Sequence, residues 1–243
     1  MKPFVLLATR AEDVPADEEY ALFLRYTGLN PEELVRVRLE AEPMPRFDLD
    51  ELSGIFVGGG PFNASDPLEK KSAAQRRVEA EFGRLLDEVV ARDFPFLGAC
   101  YGIGTLGAHQ GAVIDRSHSE PISVVPVTVT AAGASDPLLE GMPTTFDAFV
   151  GHKEAISQLP ASATLLASSP GCPVQMFRVG ANVYATQFHP ELDVEGITTR
   201  IHAYADYGYF AADELELTLA AVRRAAVSHP SRMLRTFVTR YAR

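Results

Sequence analysis

The sequence predicts an α/β fold: three layers, with a mixed, largely parallel sheet flanked by helices, a small antiparallel β portion and a helical C-terminal extension. Three features predict it. Short apolar runs alternate with amphipathic helical stretches in the first part of the chain. The middle is rich in Val and Thr and is punctuated by turn residues. The tail returns to helical spacing. Strand, helix, strand in that order asks for parallel strands covered by helices. Closely spaced strands with short turns pair antiparallel.

Taken in order, Phe4 to Ala8 reads as a buried strand and Ala16 to Tyr26 as a helix, with Leu22, Phe23 and Tyr26 on its apolar stripe. Leu34 to Leu39 alternates apolar residues with Arg and Glu, as a half-exposed strand does. Leu52 to Val57 is a further strand and stops at Gly58-Gly59-Gly60-Pro61. Leu68 to Arg92 has the period of one long amphipathic helix, carried by Val78, Phe82, Leu85, Leu86, Val89 and Val90. Phe94 to Ala99 is a short apolar strand. Later strands are expected at Pro121 to Thr130, Thr145 to Val150, Thr164 to Ala167, Val174 to Val179 and Val183 to Phe188, with Gly180, Ala181 and Asn182 in one of the turns. From Gly196 to Arg243 the chain is helical in composition. No composition break marks a linker. The expectation is one α/β domain over residues 1–196, with residues 197–243 a helical extension packed on it.

The 243 residues carry 22 Lys and Arg against 32 Asp and Glu, a formal charge of −10. Phosphate backbones and anionic bilayers both call for basic surface, so neither nucleic acid nor a membrane is an expected partner. The opening MKPFVLLATR lacks the length and cleavage site of a secretory signal, and no apolar stretch is long enough to span a bilayer. Two cysteines in unlike contexts, Cys100 and Cys172, make no disulfide framework, which suits a reducing, cytoplasmic home.

The most informative stretch is Phe94-Pro-Phe-Leu-Gly98-Ala-Cys100-Tyr-Gly102. A glycine two residues either side of a cysteine at a strand's end is the pattern of a nucleophile elbow. Small neighbours let a tight strand-to-helix turn present the thiol, and the helix N-terminus behind it favours thiolate. On this stretch alone a buried structural cysteine fits as well. Gly102-Ile-Gly104-Thr-Leu-Gly107 also spells G-x-G-x-x-G. A dinucleotide site would want this in the first βα turn, with an acidic residue about 20 residues on. Several strands precede it and no such acid follows, so these glycines read mainly as helix-packing residues.

A cysteine nucleophile needs a base, and the base a partner that holds its tautomer. His189 follows a strand in Gln187-Phe-His189-Pro-Glu191, and Glu191 can fold back onto the ring. By itself H-x-E suits a surface turn equally. Gly58-Gly59-Gly60 at a strand's end exposes main-chain N–H groups able to hold an oxyanion, with the Tyr101 amide as second donor. A plain tight turn is the plainer reading of the same loop; a P-loop is not, because no Lys-Ser/Thr follows.

Glycine loop, cysteine elbow and late His-Pro-Glu, in that order, resemble the class I glutamine amidotransferases, nearest to the stand-alone, GMP-synthetase-like members, over roughly residues 50 to 195. The resemblance implies a Cys100–His189–Glu191 triad, an oxyanion hole at Gly60 and Tyr101 with Gly59 in support, and no cofactor or metal. It implies release of ammonia from the side-chain amide of glutamine, or of a γ-glutamyl compound, through a γ-glutamyl thioester. A synthetase partner would take the ammonia, and a homo-oligomer is compatible with it. The family usually reads Cys-x-Gly-x-Gln, and its glutamine helps to hold the substrate's amino-acid end; here Gly104 stands in that place. Gly151-His152-Lys153-Glu154 falls where the family has a Ser-His-Gly-Asp-like strand end that holds the substrate carboxylate. Gly151, His152, Lys153 and Gly104 are therefore the expected substrate-binding positions. Both departures leave open a γ-glutamyl amide or peptide hydrolase without ammonia transfer, or a member that only binds a ligand. Cys172 reads as packing, and His109, His118, His202 and His229 lack metal-ligand spacing. Tyr204, Tyr207, Tyr209 and Phe210 read either as closing over something or as stapling the tail to the core.

Overall fold

Apolar residues at every position of a strand require cover on both faces, and the first strand shows the consequence. The computed structural model describes residues 1–204 and 215–243. Strand β1, Phe4–Ala8, is buried along its whole length. Val5 and Leu7 face one core, together with Val78, Phe82 and Leu86 of a long helix. Phe4 and Leu6 face the other, with Phe23, Leu234 and Phe237. A helix layer thus lies on each side of the sheet.

In chain order the first half runs β1, α1 (Asp13–Thr27), β2 (Leu34–Arg38), β3 (Gly54–Val57), α2 (Ala73–Ala91), β4 (Phe96–Ala99) and α3 (Tyr101–His109). Then come β5 (Val113–Asp115), β6 (Glu120–Val129), α4 (Ala131–Ala134), β7 (Thr145–His152), β8 (Ala155–Gln158), β9 (Ala163–Ser168), β10 (Met176–Val179) and β11 (Val183–Thr186). The tail forms α5 (Val194–Ala203), α6 (Leu215–Arg224) and α7 (Ser231–Tyr241). The main sheet has the order β2-β1-β3-β4-β11-β10-β9-β6-β7. From β2 to β11 neighbours are parallel, and from β11 to β7 antiparallel. The strands β5 and β8 form a separate antiparallel pair.

Three local differences from the sequence reading have clear causes. The helix expected over Leu68 to Arg92 begins at Ala73, because the Ser72 side chain accepts from the Gln75 amide and caps it; Leu68–Lys70 is a separate 3-10 turn. The pair β5 and β8 is not legible in the sequence: each is short, and only their mutual pairing makes them strands. The helical tail begins at Val194, ahead of Gly196, because Asp193 caps α5 by accepting from the Gly196 amide. Tyr207, Tyr209 and Phe210 lie outside the described residues.

Candidate active site

Parallel strands deliver their C-terminal ends to one edge of the sheet, where loops meet and ligands bind. Here that edge gathers Arg10 after β1, Gly58 to Gly60 after β3, Cys100 after β4 and His189 after β11. Two bonds fix the last two together. The Cys100 amide donates to the Thr186 carbonyl at 2.8 Å, and the His189 amide to the Phe149 carbonyl at 3.0 Å.

Cys100 has φ 51° and ψ −91°, a conformation rarely adopted by L residues, and it immediately precedes α3. The crowding around it explains its glycines. A Cβ on Gly98 would lie 2.9 Å from the Gly102 backbone. A Cβ on Gly59 would lie 2.6 Å from Arg10 Nη2, 2.7 Å from His189 Cε1 and 3.5 Å from the Cys100 Cβ. The nucleophile's carbon, the imidazole and a guanidinium therefore surround one point, which a glycine leaves clear. Gly107 packs on Ile156 of β8, where a Cβ would come within 2.7 Å of Cδ1, so the second half of G-x-G-x-x-G serves helix packing.

His189 Nδ1 lies 2.8 Å from Glu191 Oε1, and both residues are buried. Among the described residues the amides of Gly59, Gly60 and Tyr101 donate to no protein acceptor. Gly60, Cys100, Tyr101, Gly104, Gly151, His152 and Lys153 line one small cavity, together with Glu154 and Gln187. His189 lines a second cavity that meets the first at Gly60, Cys100 and Gly151 and is walled by Arg10, Arg200 and Tyr204. Every sequence-selected site residue thus reaches this edge, with Glu191 behind the imidazole.

The electrostatics differ from expectation in one respect. The helix terminus suggests a ready thiolate, but burial pushes the Cys100 thiol up to about 12, against the pull of Arg10 and Arg200. Burial also holds His189 down to about 4, with Arg200 and Arg10 adding to the depression and Glu191 opposing it. Burial works to raise Glu191, yet His189 and Arg200 outweigh it and hold this carboxyl well below the usual carboxylate range. The resting pair is thiol and neutral imidazole.

Sequence reasoning missed Arg10, Glu19 and Arg200. All three are buried and linked: Arg10 Nε and Arg200 Nη2 both donate to Glu19 Oε1, at 3.0 and 3.1 Å. A signal existed. Glu19 falls on the stripe of Ala16, Leu22 and Phe23, and Arg200 on that of Ile197, Ile201 and Tyr204. A charge at helical spacing inside an apolar stripe must be paired. Tyr204 accepts from Arg10 Nη1 at 3.0 Å, so it staples the tail to the site. Asp193 serves as the α5 cap and pairs with Arg25 and Tyr26.

The substrate-side residues also have partners. Glu154 accepts from the amides of Ala64 and Ser65, each at 2.7 Å, and its Oε1 lies 3.1 Å from where a Cβ on Gly104 would be. The missing side chain at 104 is what gives this carboxylate room. His152 bonds the Glu154 carbonyl through Nδ1 and Glu120 Oε2 through Nε2. Glu120, His152 and Cys172 bring their ligating atoms within 4.8 Å of one another, a trio separate from Cys100, His189 and Glu191. Gln175 Nε2 also donates to Glu120 Oε2, and the Cys172 thiol faces the Val174 carbonyl, so hydrogen bonds account for the cluster.

Residues 27–202 match the family model for glutamine amidotransferase class-I. The chain belongs to the class I glutamine amidotransferase family. Within this family it is 31% identical over 147 residues to the glutamine-hydrolyzing subunit of GMP synthase from Thermoplasma acidophilum, covering 60% of this chain and 66% of that one. It is 33% identical over 151 residues to a glutamine amidotransferase-like protein of Salmonella typhimurium, covering 61% and 60%. These matches span less than two thirds of the relatives' own length. A crystal structure of a glutamine amidotransferase from Thermotoga maritima superposes with TM-score 0.79 at 21% identity, covering 99% of this chain and 98% of that one. Another, from Methylobacillus flagellatus, gives 0.70 at 18%, covering 99% and 94%. Both share the amidotransferase fold. Among the described residues no helix is long and apolar enough to cross a membrane.

Proposed function

We propose that this chain is a cysteine amidohydrolase that releases ammonia from the side-chain amide of glutamine, or of a γ-glutamyl compound, for an acceptor on a partner synthetase. The observation that carries the reading is the convergence at Gly59: thiol-bearing carbon, imidazole and unspent main-chain N–H groups around one point. The relative named as a glutamine-hydrolyzing GMP synthase component supports glutamine as the amide and a synthetase as partner.

The chemistry follows from the resting charges. The thiol proton passes to His189 Nε2 as sulfur attacks the amide carbon, so a neutral pair becomes imidazolium and oxyanion. The amides of Gly60 and Tyr101 receive that oxyanion, and Gly59 keeps the space in front of the ring clear. Glu191 accepts from Nδ1–H and stabilises the imidazolium. As the C–N bond breaks, the nitrogen takes the proton from Nε2 and leaves as ammonia. Water, deprotonated by the same nitrogen, attacks the thioester; γ-glutamate leaves and the thiol is restored. Gly151, His152 and Lys153 take the substrate's carboxylate end. Glu154 takes its ammonium: each carboxylate oxygen accepts one amide and keeps lone-pair capacity for another donor.

The test is ammonia release from glutamine, γ-glutamyl methylamide and γ-glutamylglycine by the full chain, with Cys100→Ala as control. Turnover of glutamine that vanishes in the control is the expected result. Turnover that survives in Cys100→Ala removes the thiol from the mechanism. Hydrolysis of the substituted amides alone would make the protein a γ-glutamyl amide hydrolase without ammonia transfer.

A further inference from the structure

The contacts of His189 Nδ1 conflict. It lies 2.8 Å from Glu191 Oε1, a carboxylate oxygen that can only accept. It also lies 2.9 Å from Arg200 Nη1, and a guanidinium can only donate. If Nδ1 carries a proton, the ring satisfies Glu191 and meets Arg200 donor to donor. If Nδ1 is bare, it accepts from Arg200 and the neutral ring carries its proton on Nε2. That second form has no lone pair on Nε2 and cannot take a proton from Cys100.

Arg200 is built into this position. It is buried on α5, and its Nη2 donates to Glu191 Oε1 at 2.9 Å and to Glu19 Oε1 at 3.1 Å. Glu19 is held in turn by Arg10 Nε. The second oxygens of Glu19 and Glu191 are buried without partners, so neither carboxylate has another cation among the described residues to replace these. The groups facing the ring are Glu191 from its own turn, Arg200 from α5, Arg10 from the loop after β1 and Cys100 from the elbow. Glu19 reaches it through both arginines, and Glu18 of α1 faces Arg200.

We propose that Arg200 is a positioning residue that governs the tautomer of His189: one N–H holds the neutral ring with its proton on Nε2, the other fixes Glu191, and the base becomes competent when Nδ1 passes from Arg200 to Glu191. The exchange removes a proton from Nε2 and adds one to Nδ1 through solvent water, with no net change of protons or electrons. Glu191 and Arg200 thus pull the same ring atom in opposite senses, and small shifts of α5 change which of them wins. The inference rests on His189 acting as the base, but its readout does not depend on turnover.

The experiment is a long-range 1H–15N spectrum of the 15N-labelled full chain near neutral pH, with the His189 ring assigned by difference against His189→Gln. The Nε2–H tautomer is expected in the wild type. In Arg200→Met the ring should change to Nδ1–H, and the acid limb of kcat/KM should move to higher pH because a neighbouring positive charge is lost. Arg200→Lys keeps the charge and should leave that limb near its wild-type position. An Nδ1–H ring in the wild type, or a tautomer unchanged in Arg200→Met, overturns the proposal. If Arg200→Met fails to fold by circular dichroism, the wild-type and lysine spectra still decide it. A wild-type Nε2–H ring in a chain with no amidase activity on the three substrates would sink the amidase reading and the catalytic role of Arg200 with it.

Discussion

At Gly104 one side chain is missing, and a carboxylate from a distant strand end occupies the neighbouring space. The absence is visible in the sequence as a departure from the family pattern; the compensation by Glu154 is not, since 50 residues separate the two in the chain. If Glu154 holds the substrate's ammonium, Glu154→Gln should raise KM for glutamine about tenfold or more with a smaller effect on kcat, because a charge-assisted contact becomes a neutral one. Steady-state kinetics read this, and an unchanged KM removes Glu154 from recognition. His189 carries a second prediction. Its ring is held down to about 4 when folded and returns to its ordinary value of 6.5 when unfolded. Between these values the unfolded chain binds a proton that the folded site refuses, so stability falls as pH drops through the window. The contribution is on the order of 3 kcal/mol when complete. Urea midpoints at pH 7 and pH 5 should therefore fall further in the wild type than in His189→Gln.

Single elements are readable where one local cause decides them. The strand β1 has the bounds its apolar run predicts, and the elbow at Cys100 is where glycine spacing puts it. Helix α2 starts later than its hydrophobic period suggests, because the period runs on through residues that a cap excludes. Ser72→Ala should cost about 1 kcal/mol by loss of that cap, read as a lower urea midpoint, and should leave ammonia release unchanged. Strands β5 and β8 lack a local cause altogether. Their pairing supplies the wall that carries Ile114 and Ile156 into the substrate-side cavity.

For the whole molecule, the tail is part of the architecture that supports the site. Helix α7 lays Met233, Leu234 and Phe237 on the face of the sheet where Phe4 and Phe56 lie; the Phe237 ring is 5.0 Å from that of Phe56. We propose that residues 197–243 act as an extension that closes this face and, through Arg200 and Tyr204, reaches the base. Phe237→Ala should cost about 3–5 kcal/mol, measured by denaturant unfolding. A loss below about 1 kcal/mol would mean that the extension is not integral to the core.

By itself the sequence determined the α/β class, the run of strands that ends at the site, and the identity of thiol, imidazole, carboxylate and glycine loop. Each of these is announced by neighbours in the chain, through hydrophobic period, glycine spacing or a two-residue turn. Only the tertiary structure decided that Arg10, Glu19 and Arg200 stand behind His189, that Glu154 fills the space beside Gly104, and that the resting thiol keeps its proton. Those outcomes depend on which groups burial brings together, and burial is a property of segments far apart in sequence that no local pattern records.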